Sequence, residues 1–123
     1  MKTALLGASL VLLTGCSATY DVTVQNNGSR PVTAELIHDP LLAPSVVLGS
    51  ARLSPGTSER IYAEGIDPFD PVELDVRVSG DIQGVADSVE PPKGVSTVII
   101  DDGGVDSWTG IRVWIEQTPP DER

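Results

Sequence analysis

The chain has very few of the side chains on which most enzymes and metal sites depend. Its 123 residues include one cysteine and one histidine. A single cysteine excludes an intrachain disulfide, and one histidine cannot supply the usual ligand set of a zinc site. His38 would be the only base for a catalytic triad, and no nucleophile elbow accompanies it. We therefore expect no enzymatic activity and no bound metal.

Basic residues are scarce as well. Eight Lys and Arg stand against 18 Asp and Glu, which gives a formal net charge of −10. Because such a surface repels phosphate backbones and anionic headgroups, we expect neither nucleic-acid binding nor electrostatic docking to a membrane. The ordinary consequence of this balance is solubility. With two Trp, two Tyr and one Phe, the chain also has few aromatic platforms for a sugar ring.

No apolar run is long enough to cross a bilayer, but a short one precedes the only cysteine. The stretch from Ala4 to Leu13 follows Lys2, and its length is typical of an export signal and too short for a membrane-spanning helix. It ends in Leu13-Thr14-Gly15-Cys16, which resembles the lipobox of bacterial lipoproteins. The resemblance implies that residues 1–15 are a cleaved signal peptide and that Cys16 becomes the first residue, carrying a covalent lipid. We expect no other cofactor.

Acylation of Cys16 would hold the protein on a membrane of the cell envelope. Several acyl chains give durable attachment, whereas a single chain holds only marginally. Residues 16–19 then form a short lipidated tether, and Ser17 in place of an aspartate favours the outer membrane, facing the periplasm, in a Gram-negative cell. Cleavage leaves seven basic residues against 18 acidic ones, a net charge of −11. The alternatives are an ordinary signal cleavage near Ala18, or a Cys16 that stays a free or intermolecularly paired thiol.

The remainder of the chain alternates apolar and polar residues in short runs separated by clusters of Gly, Pro, Asn and Asp. This pattern is typical of β-strands, and no stretch keeps a helical period for three turns. The predicted strands cover about residues 20–25, 31–36, 46–53, 58–63, 71–78, 95–100 and 110–117. About seven such strands predict an all-β fold, a single antiparallel β-sandwich over residues 20–117, followed by a flexible tail at 118–123.

Turn residues connect the first four predicted strands. Asn26-Asn27-Gly28-Ser29 tolerates positive φ, so we expect the first two strands to form a hairpin. Pro55 and Gly56 suit the centre of the turn that joins the third strand to the fourth. The two patterns "V-x-N-x-G-x-x-P-V" and "L-x-P-G" make the stretch from Val22 to Val78 resemble the immunoglobulin-like accessory domains of bacterial envelope proteins. A lipobox combined with a β-sandwich is also similar to the small transthyretin-like lipoproteins of secretion machines.

Two acidic clusters are candidates for a ligand site. Asp101, Asp102 and Asp106 lie in a glycine-rich segment, and a second group surrounds the start of the fifth predicted strand: Asp67, Asp70, Glu73 and Asp75. Calcium prefers about six to eight oxygen ligands, and glycine turns let backbone carbonyls take part. Neither cluster has the order of an EF-hand loop, and Asp-Gly sequences commonly make solvated turns. A calcium- or carbohydrate-binding module is therefore an alternative to simple turn formation.

The last two predicted strands offer a face for a protein partner. Trp114 and Arg112 alternate with inward-facing residues, and Ile99 is out of phase in the strand before. If these strands pair, Thr97, Ile99, Arg112 and Trp114 lie together on one surface. Tryptophan and arginine are enriched at binding hot spots. The alternative is that the 79–94 loop covers this face.

The expected function is noncatalytic. We expect a cell-envelope lipoprotein whose sandwich binds or scaffolds an envelope protein and whose attachment to the membrane is the lipid alone. The alternatives are a calcium- or carbohydrate-binding module that uses the acidic loops, and an assembly lipoprotein of a secretion system.

Overall fold

The computed structural model describes residues 17–80, 84–105 and 108–116. The predicted signal peptide, Cys16, Asp106 and the predicted tail lie outside these ranges. Over the described ranges, no helix has the length and apolar character needed to cross a membrane.

Within the described residues, eight strands form two four-stranded sheets that pack face to face. The strands are β1 Ala18–Asn26, β2 Val32–His38, β3 Val46–Leu53, β4 Ser58–Ile66, β5 Val72–Val78, β6 Asp87–Val89, β7 Gly94–Asp101 and β8 Arg112–Glu116. Sheet A has the order β4-β1-β7-β8, and sheet B has the order β3-β2-β5-β6. Neighbouring strands are antiparallel, except that β1 and β7 are parallel. The predicted all-β sandwich is confirmed, and the short strand β6 is added to the predicted ones.

Alternation along β1, β2 and β5 builds much of the core between the two sheets. In β1, Tyr20, Val22 and Val24 are buried while the residues between them are partly exposed. Leu74 and Val76 of β5 face them from sheet B in the same core cluster. Because burial of one such side chain stabilises a fold by about 1.5–3 kcal/mol, the period of two in the sequence fixes which face of each strand points inward.

The predicted hairpin of the first two strands is wrong. β1 pairs with β4 and β7, whereas β2 pairs with β3 and β5, so residues 27–31 cross from one sheet to the other. Asn26 is fully buried at the end of β1. Its Nδ2 donates to the carbonyl oxygens of Arg30 at 2.9 Å and Leu53 at 3.1 Å, and its Oδ1 accepts the Gly28 N–H at 2.9 Å. These bonds end β1 and tie the crossing segment to the end of β3.

The strand order also distinguishes the two sandwich types named from the sequence. In an immunoglobulin constant domain the first two strands share a sheet. Here they lie in different sheets. The immunoglobulin order is therefore not found.

The two ends of the sandwich carry different loops. Ala18, where β1 begins, pairs with Ile66, where β4 ends. His38 at the end of β2 pairs with Val72 at the start of β5. The start of the described chain, the 39–45 loop and the 67–71 loop therefore share one end, which we call the N-terminal end. Residues 27–31, the 54–57 turn and the loop between β7 and β8 lie at the opposite end.

Candidate protein-binding face

The outer face of sheet A, called face A below, brings the predicted binding residues together. β7 and β8 pair with Ile99 opposite Trp114 and Asp101 opposite Arg112. Paired residues in neighbouring strands point to the same side of a sheet. Thr97, Ile99, Arg112 and Trp114 therefore share one surface, and the register extends this surface onto β1.

These four residues differ in how much they offer to a partner. Trp114 is 38% exposed, whereas Ile99 is only 4% exposed. In register, Ile99 lies between Gln25 of β1 and Trp114 of β8, so its neighbours on both sides leave it almost no surface. Arg112 is exposed. Thr97 is partly exposed. The accessible part of the predicted set is thus Trp114, Arg112 and part of Thr97.

Asp101 connects these two side chains. One carboxylate oxygen accepts the Arg112 Nε–H at 3.0 Å, and the other accepts Arg112 Nη2 at 2.7 Å and the Trp114 indole N–H at 2.9 Å. The Gly103 N–H donates to the same carboxylate at 2.9 Å. The Arg112 hydrogen bonds are the largest cause of a lowered Asp101 pKa of about 2, with the Trp114 and Gly103 bonds adding to them. We call Asp101, Arg112 and Trp114 the Trp114 cluster.

The Trp114 cluster also has a stacking contact. The guanidinium carbon of Arg112 lies 5.5 Å from the centroid of the Trp114 ring, within the range of a cation–π interaction. Arg112 is therefore held from two directions, by a bidentate carboxylate and by an indole. A side chain fixed in this way has less conformational entropy to lose when a partner binds.

A similar group, which the sequence reasoning missed, lies near the other edge of face A. Arg60 donates to both oxygens of Asp21, at 2.6 and 2.8 Å, and its guanidinium lies 5.1 Å from the Tyr62 ring centroid. These hydrogen bonds lower the pKa of Asp21 and raise that of Arg60. The sequence signal that could have revealed this group is an arginine two residues before an aromatic residue. This pattern occurs in both β4 and β8.

A groove of about 470 Å³ adjoins the Trp114 cluster at the edge where β6 and β8 meet, and Trp108, Ile111 and Asp87 are among its lining residues. The Asp87 carboxylate accepts the Val113 N–H at 2.7 Å, so it caps the edge of β8 and joins the two sheets. A Cβ on Gly104 would lie 2.4 Å from the Ile111 carbonyl oxygen. Only glycine allows this close approach of the 103–105 segment to the groove.

The acidic residues proposed as calcium ligands are divided among protein partners. The Asp101 carboxylate belongs to the Trp114 cluster, and Asp102 Oδ2 accepts the Ser29 N–H at 3.0 Å. Asp106 lies outside the described residues. Among the residues that are described, no group of three or more His, Cys, Asp or Glu side chains is arranged to hold a metal ion.

The second acidic cluster is divided between a loop and a sheet face. Asp70 Oδ2 lies 2.8 Å from His38 Nε2, so the histidine bonds a turn at its strand end. Asp75 points outward from sheet B, where burial and the negative charge of Glu73 raise its pKa to about 6. Arg77 acts against this shift, but its Nε donates to Glu35, 3.3 Å away.

Comparisons with known proteins leave the family open. No protein-family model and no curated protein matches the chain. Among solved structures, the crystal structure of the T6SS lipoprotein TssJ1 from Pseudomonas aeruginosa is similar over 83% of this chain and 98% of that chain, with 11% sequence identity and a TM-score of 0.44. The architecture given above rests on the strand pairing of this chain and not on that similarity.

Proposed function

We propose that this chain is a lipid-anchored lipoprotein of the cell envelope that binds a protein partner through face A, without catalysis. The observation that carries the proposal is the Trp114 cluster. It presents the side chains most often found at binding hot spots, a tryptophan and an arginine, with both held in place by one carboxylate. Preorganised aromatic and arginine anchors favour binding because little freedom is lost in the complex.

The anchor part of the proposal is supported by the sequence Leu13 to Cys16 and by where the fold begins. Ser17 is the only residue between Cys16 and strand β1. A lipid on Cys16 would therefore keep the sandwich at the surface of its membrane. Face A runs along the sandwich from that end, which makes it accessible to envelope proteins beside the membrane.

The anchor is tested by mass spectrometry of the mature protein isolated from membranes. We expect an acylated N-terminal Cys16, and we expect Cys16→Ser to leave the chain unprocessed. An unmodified mature protein that begins at another residue would show that the anchor proposal is wrong.

The binding part is tested by site-specific photocrosslinking in the native envelope. A crosslinking amino acid at Glu116, which is exposed on β8 beside the Trp114 cluster, should give one discrete adduct that Trp114→Ala removes. The matched position is Arg52, exposed on the outer face of sheet B, where we expect no such adduct. Adducts from both positions, or an adduct that survives Trp114→Ala, would contradict binding through face A.

The identity of the crosslinked protein tests the secretion-system alternative. An assembly lipoprotein needs the same anchor and the same kind of face, so capture of secretion-machine components through Glu116 would support that narrower function. Capture of an unrelated envelope protein would support the general proposal and contradict the narrower one.

A further inference from the structure

The N-terminal end of the sandwich carries an apolar tip. Leu41 and Leu42 in the 39–45 loop are 88% and 95% exposed, and Phe69 in the 67–71 loop, the only phenylalanine of the chain, is 93% exposed. The two loops are joined to each other, because the Asp39 N–H donates to the Pro71 carbonyl at 3.0 Å and His38 bonds Asp70. Leu41, Leu42 and Phe69 therefore project from one connected structure, which we call the apolar tip.

The polar side chains around the tip are bonded within it. The Asp39 carboxylate accepts the Ser45 hydroxyl at 2.7 Å, Asp67 accepts the Phe69 N–H at 3.0 Å, and Asp70 lies 2.8 Å from His38. Asp39 and Asp67 remain exposed, each with one carboxylate oxygen bonded inside the loops, and Leu41, Leu42 and Phe69 are the large apolar side chains that are exposed beside them. Exposed clusters of this kind mark contacts with another apolar phase.

The start of the chain indicates what covers the tip. Only Ser17 separates Cys16 from Ala18, so these two residues lie two residue steps apart along the chain, a span of at most about 7 Å. Ala18 lies at the N-terminal end and pairs with Ile66, which directly precedes the 67–71 loop. An acylated Cys16 therefore keeps the end that bears the apolar tip against the bilayer.

We propose that Leu41, Leu42 and Phe69 insert into the surface of the lipid bilayer that holds the acylated Cys16, so that loops and lipid together orient the sandwich. The inference rests on the proposed anchor. It does not depend on headgroup charge, because apolar side chains bind the boundary between headgroups and acyl chains through the area that they bury. It fits an acidic chain, for which electrostatic attraction to anionic lipids is not available.

The test uses the full acylated protein in phosphatidylcholine vesicles. The sulfur of acylated Cys16 is blocked, so Leu42→Cys can be labelled alone with an environment-sensitive fluorophore. Apolar groups at this boundary lie about 5–10 Å deep, so we expect quenching by lipids spin-labelled near the headgroup to be at least about tenfold stronger than for the control label. The control is Ser54→Cys, in the turn at the opposite end.

A second set of variants tests the contribution of the other tip residues. Leu41→Ser with Phe69→Ser should lower the quenching of the label at position 42 at least about twofold, because membrane affinity scales with buried apolar area. Val105→Ser is the matched control, since Val105 is 93% exposed at the opposite end, and it should change nothing.

The outcomes separate insertion from anchoring. Equal quenching at positions 42 and 54, with acylated Cys16 shown by mass spectrometry, would leave the anchor standing and overturn insertion. An unacylated Cys16 would overturn both. A label at position 42 that stays in water in vesicles but is protected in native envelopes would show that a protein covers the tip, which also overturns insertion.

Discussion

The outer faces of the two sheets arrange their aspartates differently. On face A, Asp21 and Asp101 each have an arginine of their own, and the pKa of both carboxyls is lowered. On the outer face of sheet B, Asp75 lies near Glu73 and Glu35, Arg77 is hydrogen-bonded to Glu35, and the pKa of Asp75 is raised to about 6. The same alternation of residues thus gives one face on which each of these aspartates is paired with an arginine and one on which Asp75 lies among carboxylates.

This difference suits the two faces to different roles. A partner that covers the Trp114 cluster meets Asp101 already paired with Arg112, so this carboxylate does not have to be desolvated as an unpaired charge. A partner that covers the outer face of sheet B would have to desolvate carboxylates that repel one another. The pairing of Asp101 with Arg112, together with Trp114, is the physical reason for proposing that the binding site lies on face A.

The largest expected effect is on partner binding. Trp114→Ala should weaken capture of the partner by about 2 kcal/mol or more, roughly 30-fold, as truncation of an interface aromatic commonly does. Arg52→Ala on the outer face of sheet B should change it by less than about twofold, because rim and off-site residues contribute little. Affinity is measured with the partner identified by crosslinking.

The stability of the Trp114→Ala variant has to be measured beside its affinity. Trp114 is 38% exposed, so its removal should lower the free energy of unfolding by only about 1 kcal/mol, through the lost indole hydrogen bond and cation–π contact. Trp114→Phe keeps a ring and should bind better than Trp114→Ala. A stability loss of about 3–5 kcal/mol, as for a buried tryptophan, would remove the case for a binding face.

The second effect concerns the crowded carboxylates of sheet B. Because folding raises the pKa of Asp75 from 3.8 to about 6, its ionisation destabilises the fold increasingly as pH rises from about 4 to about 6, and fully above that. Asp75→Asn should therefore stabilise the protein at pH 7.5 by roughly 1 kcal/mol after allowance for solvent screening, and by nothing at pH 4. Urea unfolding at both pH values measures this, and equal effects at both would contradict the proposed cause.

How much of the fold could be predicted from the sequence depends on how far apart in the chain the interacting residues lie. Alternation gave every strand except β6, whose three residues are too few to show a period. It also placed Trp114 beside Arg112, because residues two apart in one strand share a face. The hairpin expected around Gly28 was wrong because local turn chemistry cannot show that Asn26 bonds Leu53, which is 27 residues away.

The candidate site was predictable only in part for the same reason. From its neighbours in the chain, Asp101 is predicted to lie in a solvated turn, with calcium binding as the alternative. Its partners Arg112 and Trp114 are 11 and 13 residues further on. Leu41, Leu42 and Phe69 belong to loops that come together only through the register of β2 and β5. Single-sequence patterns report what is adjacent in a strand or a turn, and not which loops meet.

The third effect is smaller and has the opposite sign to that of Asp75. Because folding lowers the pKa of Asp101 from 3.8 to about 2, its ionised form stabilises the fold above about pH 4, and this contribution is lost as pH falls through about 2. Asp101→Asn should therefore lower stability at pH 7 by no more than about 1 kcal/mol, given its exposure to solvent, and have little effect near pH 2.

A double-mutant cycle with Arg112→Gln checks the cause of that effect. If the bidentate pair is responsible, the two substitutions together should destabilise the protein less than the sum of the two single ones, and the coupling should decrease with salt. Additive effects, or the same loss from Asp101→Asn at pH 2 and pH 7, would show that the ion pair with Arg112 is not what stabilises face A.

The smallest expected effect is that of calcium on the melting temperature. It tests whether the paired charges of face A exclude a metal ion from the glycine-rich loop after β7. Both Asp101 oxygens accept hydrogen bonds from Arg112, and Asp102 Oδ2 bonds the Ser29 N–H, so a cation would have to displace bonds that already exist. A ligand that binds only the folded state raises the melting temperature by mass action. Millimolar calcium should therefore raise it by less than about 1 °C, no more than magnesium does at the same ionic strength. A rise of several degrees with calcium alone, abolished by Asp102→Asn, would contradict this expectation and make the calcium-binding module the better interpretation of the loop.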